Sequence, residues 1–387
     1  MVRKITYITF HNWETKRQGG FHKFAEYTCK QGIETIFFSF SRPYYIFFKK
    51  DERLNKNALK LLCKGEKYEL NGRFLFNLTW PTLALPNPLY KIFPRSVQWW
   101  LQQHSLMSFD KIAKKMEGTD CFVFESCEGI ILLDKIKKHF PNAKIIYRPS
   151  DPMMIKGVSS DIVLIEKKML ESSDMNLIVN IEGVELYKQN IPDFENKCKY
   201  IIMPNGVDYE AFTKSYPAPE CLQKEKTALY VGALGVNWPL VLESAKKIPE
   251  INFVIVSPKM PHGKYKKQIK KISNITFVAG INPSDVPAWV SNCNVIIVPY
   301  AKDQYEKIPW GITAKYYQAM AAGKPIVAYN DTKLLKDLGI AVAYTHTEFI
   351  QFIQEAIILS KVDYSFDIKN RNWIHICNIF LNTINNL

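Results

Sequence analysis

No Cys-x-x-Cys pair occurs in the 387 residues, and the eight cysteines stand singly between Cys29 and Cys377. That pattern argues against a disulfide framework or a zinc site and predicts buried, reduced thiols. The seven histidines show no metal-ligand spacing, and no Asp-x-Asp occurs. No apolar run approaches the roughly 20 residues that a membrane-spanning helix needs. The opening "MVRKITYITF" is basic, but its apolar stretch is short and alternating, so it predicts a first strand rather than a signal peptide, and with it a cytoplasmic chain. Internal repeats, low-complexity segments and nucleic-acid-binding signatures are also lacking. The formal charge of +14 therefore points away from nucleic acid, toward an anionic membrane face or phosphorylated substrates.

What is there is a folded α/β pattern. Hydrophobic residues make up 47% and charged residues 23%, a globular composition, and the length fits two domains. Short apolar segments alternate with longer helical or polar stretches, first "ITYITF", "ETIFFSF", "CFVFES", "AKIIYR", "LIVNI" and "KYIIMPNG", then "ALYVGAL", "NFVIVS", "ITFVAG", "VIIVPY", "PIVAY" and "AVAYT". Branched and aromatic residues on consecutive positions suit strands buried on both faces. Two doubly wound domains follow, over 1–208 and 227–360, with a polar, Pro-containing linker at 209–226. The tail, 361–387, carries Trp373, Ile376, Cys377, Phe380 and Ile384 at helical spacing.

The most structured text is "GITAKYYQAMAAGKPIVAY", residues 311–329. Gly311 or Thr313 can cap a helix running to about Ala322, and Gly323 with Pro325 ends it. The free N–H groups of a helix start attract phosphate, Lys315 adds a charge there, and Gln318 on the same face suits a ribose diol. The plain alternative is an ordinary capped helix with a solvated lysine.

This segment resembles the donor-nucleotide helix of GT-B glycosyltransferases, as do "NGVD", "YVGAL" and "RNWIHICNIF" in their places. The resemblance implies two Rossmann-like domains facing across a cleft, with the C-terminal helix crossing back to the N-terminal domain. The stretch "DCFVFESCEGIILLDKIKKHFPNAKIIYRPSDP", residues 120–152, is similar to the GumK family of glucuronosyltransferases, in which F-E-S leads to a strand ending Y-R-x-S-D. That family implies inverting transfer of glucuronic acid from UDP-glucuronate to a polyprenyl-diphosphate-linked oligosaccharide, by a peripheral protein on the cytoplasmic face of the inner membrane.

Asp151 matches the family's general base. A carboxylate that takes the acceptor hydroxyl's proton is typically worth about 10²- to 10⁴-fold, and a carboxylate after a parallel strand faces the ligand crevice. Arg148 would orient it or keep it ionised. Asp151 before Pro152 is equally a good helix N-cap. By the same resemblance Leu234, Ile281, Asn282, Tyr300, Thr313 and Ala314 line the UDP pocket with Lys315 and Gln318. No metal or other cofactor is expected, Lys315 and the helix terminus stabilising the leaving diphosphate instead.

In the loop 11–24, Gly19 and Gly20 permit a close backbone approach, Lys16 and Arg17 can meet acceptor phosphate, and His22 is expected to be a surface or packing residue rather than a second base. Glu125 is expected to be a buried structural group. Residues 41–56 and 80–104 mix aromatic and basic residues, as an anionic bilayer interface favours. The lysine-rich 259–271 is expected to be a solvated helical face. A UDP-hexose transferase of other specificity, a UDP-sugar epimerase of the same architecture, or a non-catalytic nucleotide-sugar-binding protein are the alternatives.

Overall fold

The computed structural model describes residues 1–15, 18–48, 64–86, 89, 92–155, 160–224, 226–233, 235–259, 261–301, 312–332, 334–364 and 366–387. The chain divides into two units, Met1–Pro204 with Ile376–Leu387, and Asn205–His375. Both are Rossmann-like, and each apolar segment picked out above supplies a strand.

Among the described residues the first unit has eight strands: β1 (Lys4–Thr9), β2 (Glu34–Pro43), β3 (Glu66–Leu70), β4 (Arg73–Thr82), β5 (Cys121–Glu125), β6 (Lys144–Arg148), β7 (Met175–Ile178) and β8 (Tyr200–Ile202). Their order is β3-β4-β2-β1-β5-β6-β7-β8, parallel except for β3 against β4. Every residue of β5 is buried, as a strand covered on both faces by helices must be. The β3–β4 hairpin was not expected. Its turn is Asn71-Gly72, with φ of 51° and 74°, and both central positions of a type I′ turn need positive φ.

The second unit has β9 (Thr227–Val231), β10 (Asn252–Val256), β11 (Ile275–Val278), β12 (Val295–Pro299), β13 (Ile326–Tyr329) and β14 (Ala341–Ala343), all parallel, in the order β11-β10-β9-β12-β13-β14. In each sheet the winding reverses once, between β1 and β5 and between β9 and β12. Crevices at the carboxyl ends of such strand pairs are where α/β sheets bind ligands.

Two boundaries differ from the expectation. The stretch 209–226 is not a free connector: Tyr209–Thr213 is helical, and Phe212 and Leu222 are buried in the second unit's core. Its apolar anchors are too few and too irregularly spaced to read as periodic. The tail rejoins the first unit only from Ile376, while residues 361–375 stay with the second, where Trp373 N–H donates to the Val207 carbonyl at 3.1 Å. Beyond that point the Trp373–Asn385 helix buries Ile376, Cys377, Phe380 and Ile384. Phe380 lies 4.6 Å from Phe24 and 6.2 Å from Tyr7, ring centre to ring centre.

Candidate active site

In the second unit the polar groups gather where the winding reverses. The helix Ala314–Ala321 has Thr313 at its N-cap, but the Thr313 side chain makes no capping bond. Gly323 follows at φ +64°, the left-handed conformation that ends the helix as expected. Lys315 turns back over the ends of β9 and β12. Its Nζ lies 2.5 Å from the Tyr300 hydroxyl, 4.5 Å from the Tyr300 ring centre and 4.7 Å from that of Tyr230.

The residue keeps some exposed surface, yet its amine is enclosed by these two buried rings. Burial pushes its pKa down from the lysine value to about 7, against a smaller upward pull from Asp331. Asp331 is itself buried, accepting the Tyr316 hydroxyl and the Thr332 N–H. Such an amine takes up a proton readily when an anion arrives, because the anion supplies the partner that burial removed.

Gly232, just past β9, is required by this packing. A Cβ there would come within 2.7 Å of the Tyr230 hydroxyl and 2.9 Å of Lys315 Nζ. Gln318, one turn beyond Lys315, makes no side-chain hydrogen bond among the described residues and stays partly exposed. Ala314 is exposed at the helix start, and Tyr300 is buried behind Lys315. Ile281 and Asn282 follow β11 after Gly280, whose φ of +90° turns the chain; Asn282 is exposed and Ile281 packs against the core. Leu234 lies outside the described residues. Tyr230 and Gly232 went unnoticed in the sequence because only the fold brings them under Lys315.

In the first unit the ends of β1, β5 and β6 carry the charges. Glu125 closes β5 and Arg148 closes β6, paired in register, and both are buried. Glu125 accepts the Thr9 hydroxyl, and its other oxygen lies 3.8 Å from His11 Nε2. Burial pushes the Glu125 carboxyl up and the Arg148 guanidinium down, while their mutual attraction opposes both shifts. Glu125 is thus buried and hydrogen-bonded, as expected. The Arg148 guanidinium lies 4.9 Å from the Phe24 ring centre and donates to Ser150 Oγ at 3.2 Å.

Asp151 comes next and is exposed. The protein mass around it raises its pKa above the ordinary aspartate value, and Arg148 opposes that shift. Its N–H donates to Ser126 Oγ at 3.3 Å. Residues 151–155 are irregular and the next described helix starts at Ser160, so Asp151 is not the N-cap that Pro152 suggested. The chain leaves β6 to present a carboxylate beside a buried cation.

Gly19 and Gly20 begin the helix Gly20–Lys30, Gly19 as its N-cap with φ −105°. A Cβ on Gly19 would meet only His11 Nε2, at 3.5 Å, so packing within the chain does not demand glycine there. His22 is buried, accepting the Gly19 N–H and placing Nε2 2.9 Å from the Asn12 carbonyl. Burial holds its pKa down at about 4, so it packs as a neutral ring. Lys16 and Arg17 lie outside the described residues, as do residues 49–56 of the first aromatic-basic stretch. In the second stretch Trp80 is buried, whereas Ile92, Phe93, Val97 and Trp100 are exposed.

Residues 7–179 match the family model described as "Glucuronosyltransferase GumK, N-terminal domain", and residues 225–356 match "Glycosyl transferases group 1". The chain is a GT-B glycosyltransferase resembling GumK. Solved structures agree in fold. Sucrose-phosphate synthase from Thermosynechococcus elongatus superposes with a TM-score of 0.66 at 16% identity, covering 99% of this chain and 98% of that one. An α,α-trehalose-phosphate synthase (UDP-forming) from Burkholderia vietnamiensis gives 0.64 at 9%, covering 99% and 100%. HepE of Anabaena, solved in complex with UDP-glucose, gives 0.60 at 11%, again covering 99% and 100%. No curated protein sequence matches this glycosyltransferase.

Proposed function

We propose that this glycosyltransferase moves glucuronic acid from UDP-glucuronate, with inversion and without a metal, to a polyprenyl-diphosphate-linked oligosaccharide at the cytoplasmic face of the inner membrane, in capsule or exopolysaccharide assembly. The observation that carries the nucleotide half is the Lys315 amine, caged by Tyr230 and Tyr300 at a helix start on the switch point of the second sheet. Helix N–H groups and a lysine that gains its proton on binding would hold the diphosphate and stabilise it as it leaves. HepE, of like fold, binds a UDP-sugar, which supports a nucleotide-sugar partner.

The acceptor half rests on Asp151, a strand-end carboxylate next to a buried arginine. In an inverting displacement it takes the acceptor hydroxyl's proton as that oxygen bonds the anomeric carbon and UDP departs with the electron pair of the broken bond. The glucuronate preference is supported by the family of the first domain. A peripheral membrane setting is supported by the exposed apolar side chains of Ile92, Phe93, Val97 and Trp100 together with the charge of +14.

A thermal-shift panel of UDP, UDP-glucuronate and UDP-glucose tests the proposal. UDP and UDP-glucuronate should raise the melting temperature of the native chain, and that of Lys315→Gln by less at the same concentration. No shift with any uridine nucleotide overturns the donor assignment, and a larger shift with UDP-glucose than with UDP-glucuronate replaces the sugar. Turnover should survive EDTA; loss restored by Mg²⁺ overturns the metal-free mechanism.

A further inference from the structure

The helix Ser160–Ser172 buries a carboxylate, Glu166, that has no acceptor to serve and four donors to satisfy. The hydroxyls of Tyr147 and Tyr187 each donate to its Oε1 at 2.8 Å. The Met153 N–H donates to the same oxygen at 2.9 Å, and the Met154 N–H donates to Oε2. Two of these donors belong to the backbone two and three residues after Asp151. A carboxylate removed from water costs several kcal/mol unless its lone pairs are filled, and here they are. Side chains from β6 and the helix Ile181–Asn190 meet on Glu166, which in turn bonds one short irregular stretch.

That stretch, Pro149 to Met154, is held at three points. Arg148 donates to Ser150 Oγ, Ser126 Oγ accepts the Asp151 N–H, and Glu166 takes the N–H groups of Met153 and Met154. Pro149 and Pro152 fix φ between these anchors. Of the three, the Glu166 anchor has the most hydrogen bonds.

We propose that Glu166 is a positioning residue of the transfer reaction: by accepting two consecutive backbone N–H groups it fixes the turn from which Asp151 is presented to the acceptor. The proposal rests on Asp151 acting as the base. A residue that holds the base within a fraction of an ångström acts on rate more than on donor binding, since a displacement of about 1 Å can cost on the order of 10²-fold.

The test uses the full-length chain and two readouts: the carbon-13 NMR titration of the Asp151 carboxyl, and UDP release from UDP-glucuronate. Glu166→Gln replaces one accepting oxygen by an NH₂ group, which cannot accept from the Met153 or Met154 N–H. It should move the Asp151 titration down toward the ordinary aspartate range and slow UDP release about tenfold or more, with UDP affinity unchanged. Tyr187→Phe, which leaves both backbone bonds in place, should change neither. Glu166→Asp keeps the charge but moves the acceptor by one methylene, and should shift the titration in the same direction.

If Glu166→Gln does not fold, Glu166→Asp decides alone. An Asp151 titration that stays put in every folded Glu166 variant overturns the proposal, whatever happens to melting temperature. So does a Tyr187→Phe effect as large as that of Glu166→Gln. The titration needs no substrate, so a wrong donor leaves it decisive. A correct donor turned over normally by Asp151→Asn would instead remove the base assignment itself.

Discussion

The two sheets solve the same topological problem with opposite charges. Each reverses its winding once and collects ionisable groups at the carboxyl ends of nearby strands. In the first unit these are carboxylates around a buried arginine; in the second, an amine between phenol rings. Desolvation acts on both sets, raising Glu125 and Asp151 and lowering Lys315, and in each it drives the group toward its neutral form. In the proposed reaction a carboxylate of the first unit accepts a proton from an alcohol, and the amine of the second gains one as a diphosphate docks.

The sharpest way to break the symmetry is Asp151→Asn. It should lower transfer by about 10²-fold or more while calorimetry finds UDP affinity unchanged. A variant that turns over normally would leave the first sheet with a structural role only. Next in size is Lys315→Gln, for which UDP affinity should fall by roughly tenfold, about 1.4 kcal/mol.

The wild-type pH dependence follows from the direction of the lysine shift. With a free-state pKa of about 7, UDP binding takes up a proton above that pH. Affinity should then weaken by up to about tenfold per pH unit above 7, and Lys315→Gln should flatten that slope. Stability of the unliganded chain runs the other way. Unfolding lets Lys315 gain a proton between about 7 and its ordinary 10.5, so its contribution is full above that window and is lost as pH falls through it. Chemical denaturation of the wild type and Lys315→Gln at pH 7 and pH 9.5 checks the sign.

Smaller again is Gly232→Ala, which crowds Tyr230 and Lys315 without touching charge; UDP should bind about fivefold more weakly, roughly 1 kcal/mol. Smallest is the pair Ile92→Ser and Trp100→Ser. Each should weaken sedimentation with anionic vesicles by about threefold, as partial loss of one buried side chain implies, with UDP binding untouched.

How much of this was legible depended on the range of the signal. The buried strands announce themselves by consecutive branched residues, and the Ala314–Ala321 helix by its start and stop. The Asn71-Gly72 hairpin was equally written in the chain, but the polar alternation of "EKYEL" hid the strand before it. Glu166 could not be found that way. It sits in "IEKKMLES", where a glutamate beside lysines looks solvated, and only tertiary packing turns it inward. Tyr230 is similar: its place under Lys315 is decided by strand order, not by spacing. The stretch 209–226 misled because Phe212 and Leu222 anchor it singly.

The return of the chain at Ile376 has a consequence for biosynthesis. Phe24 and Tyr7 pack on Phe380, and the whole second unit lies between them in the sequence, so the first unit cannot finish its core until the second has been synthesised. A nonsense codon at Ile376 would therefore wound the first unit and spare the second.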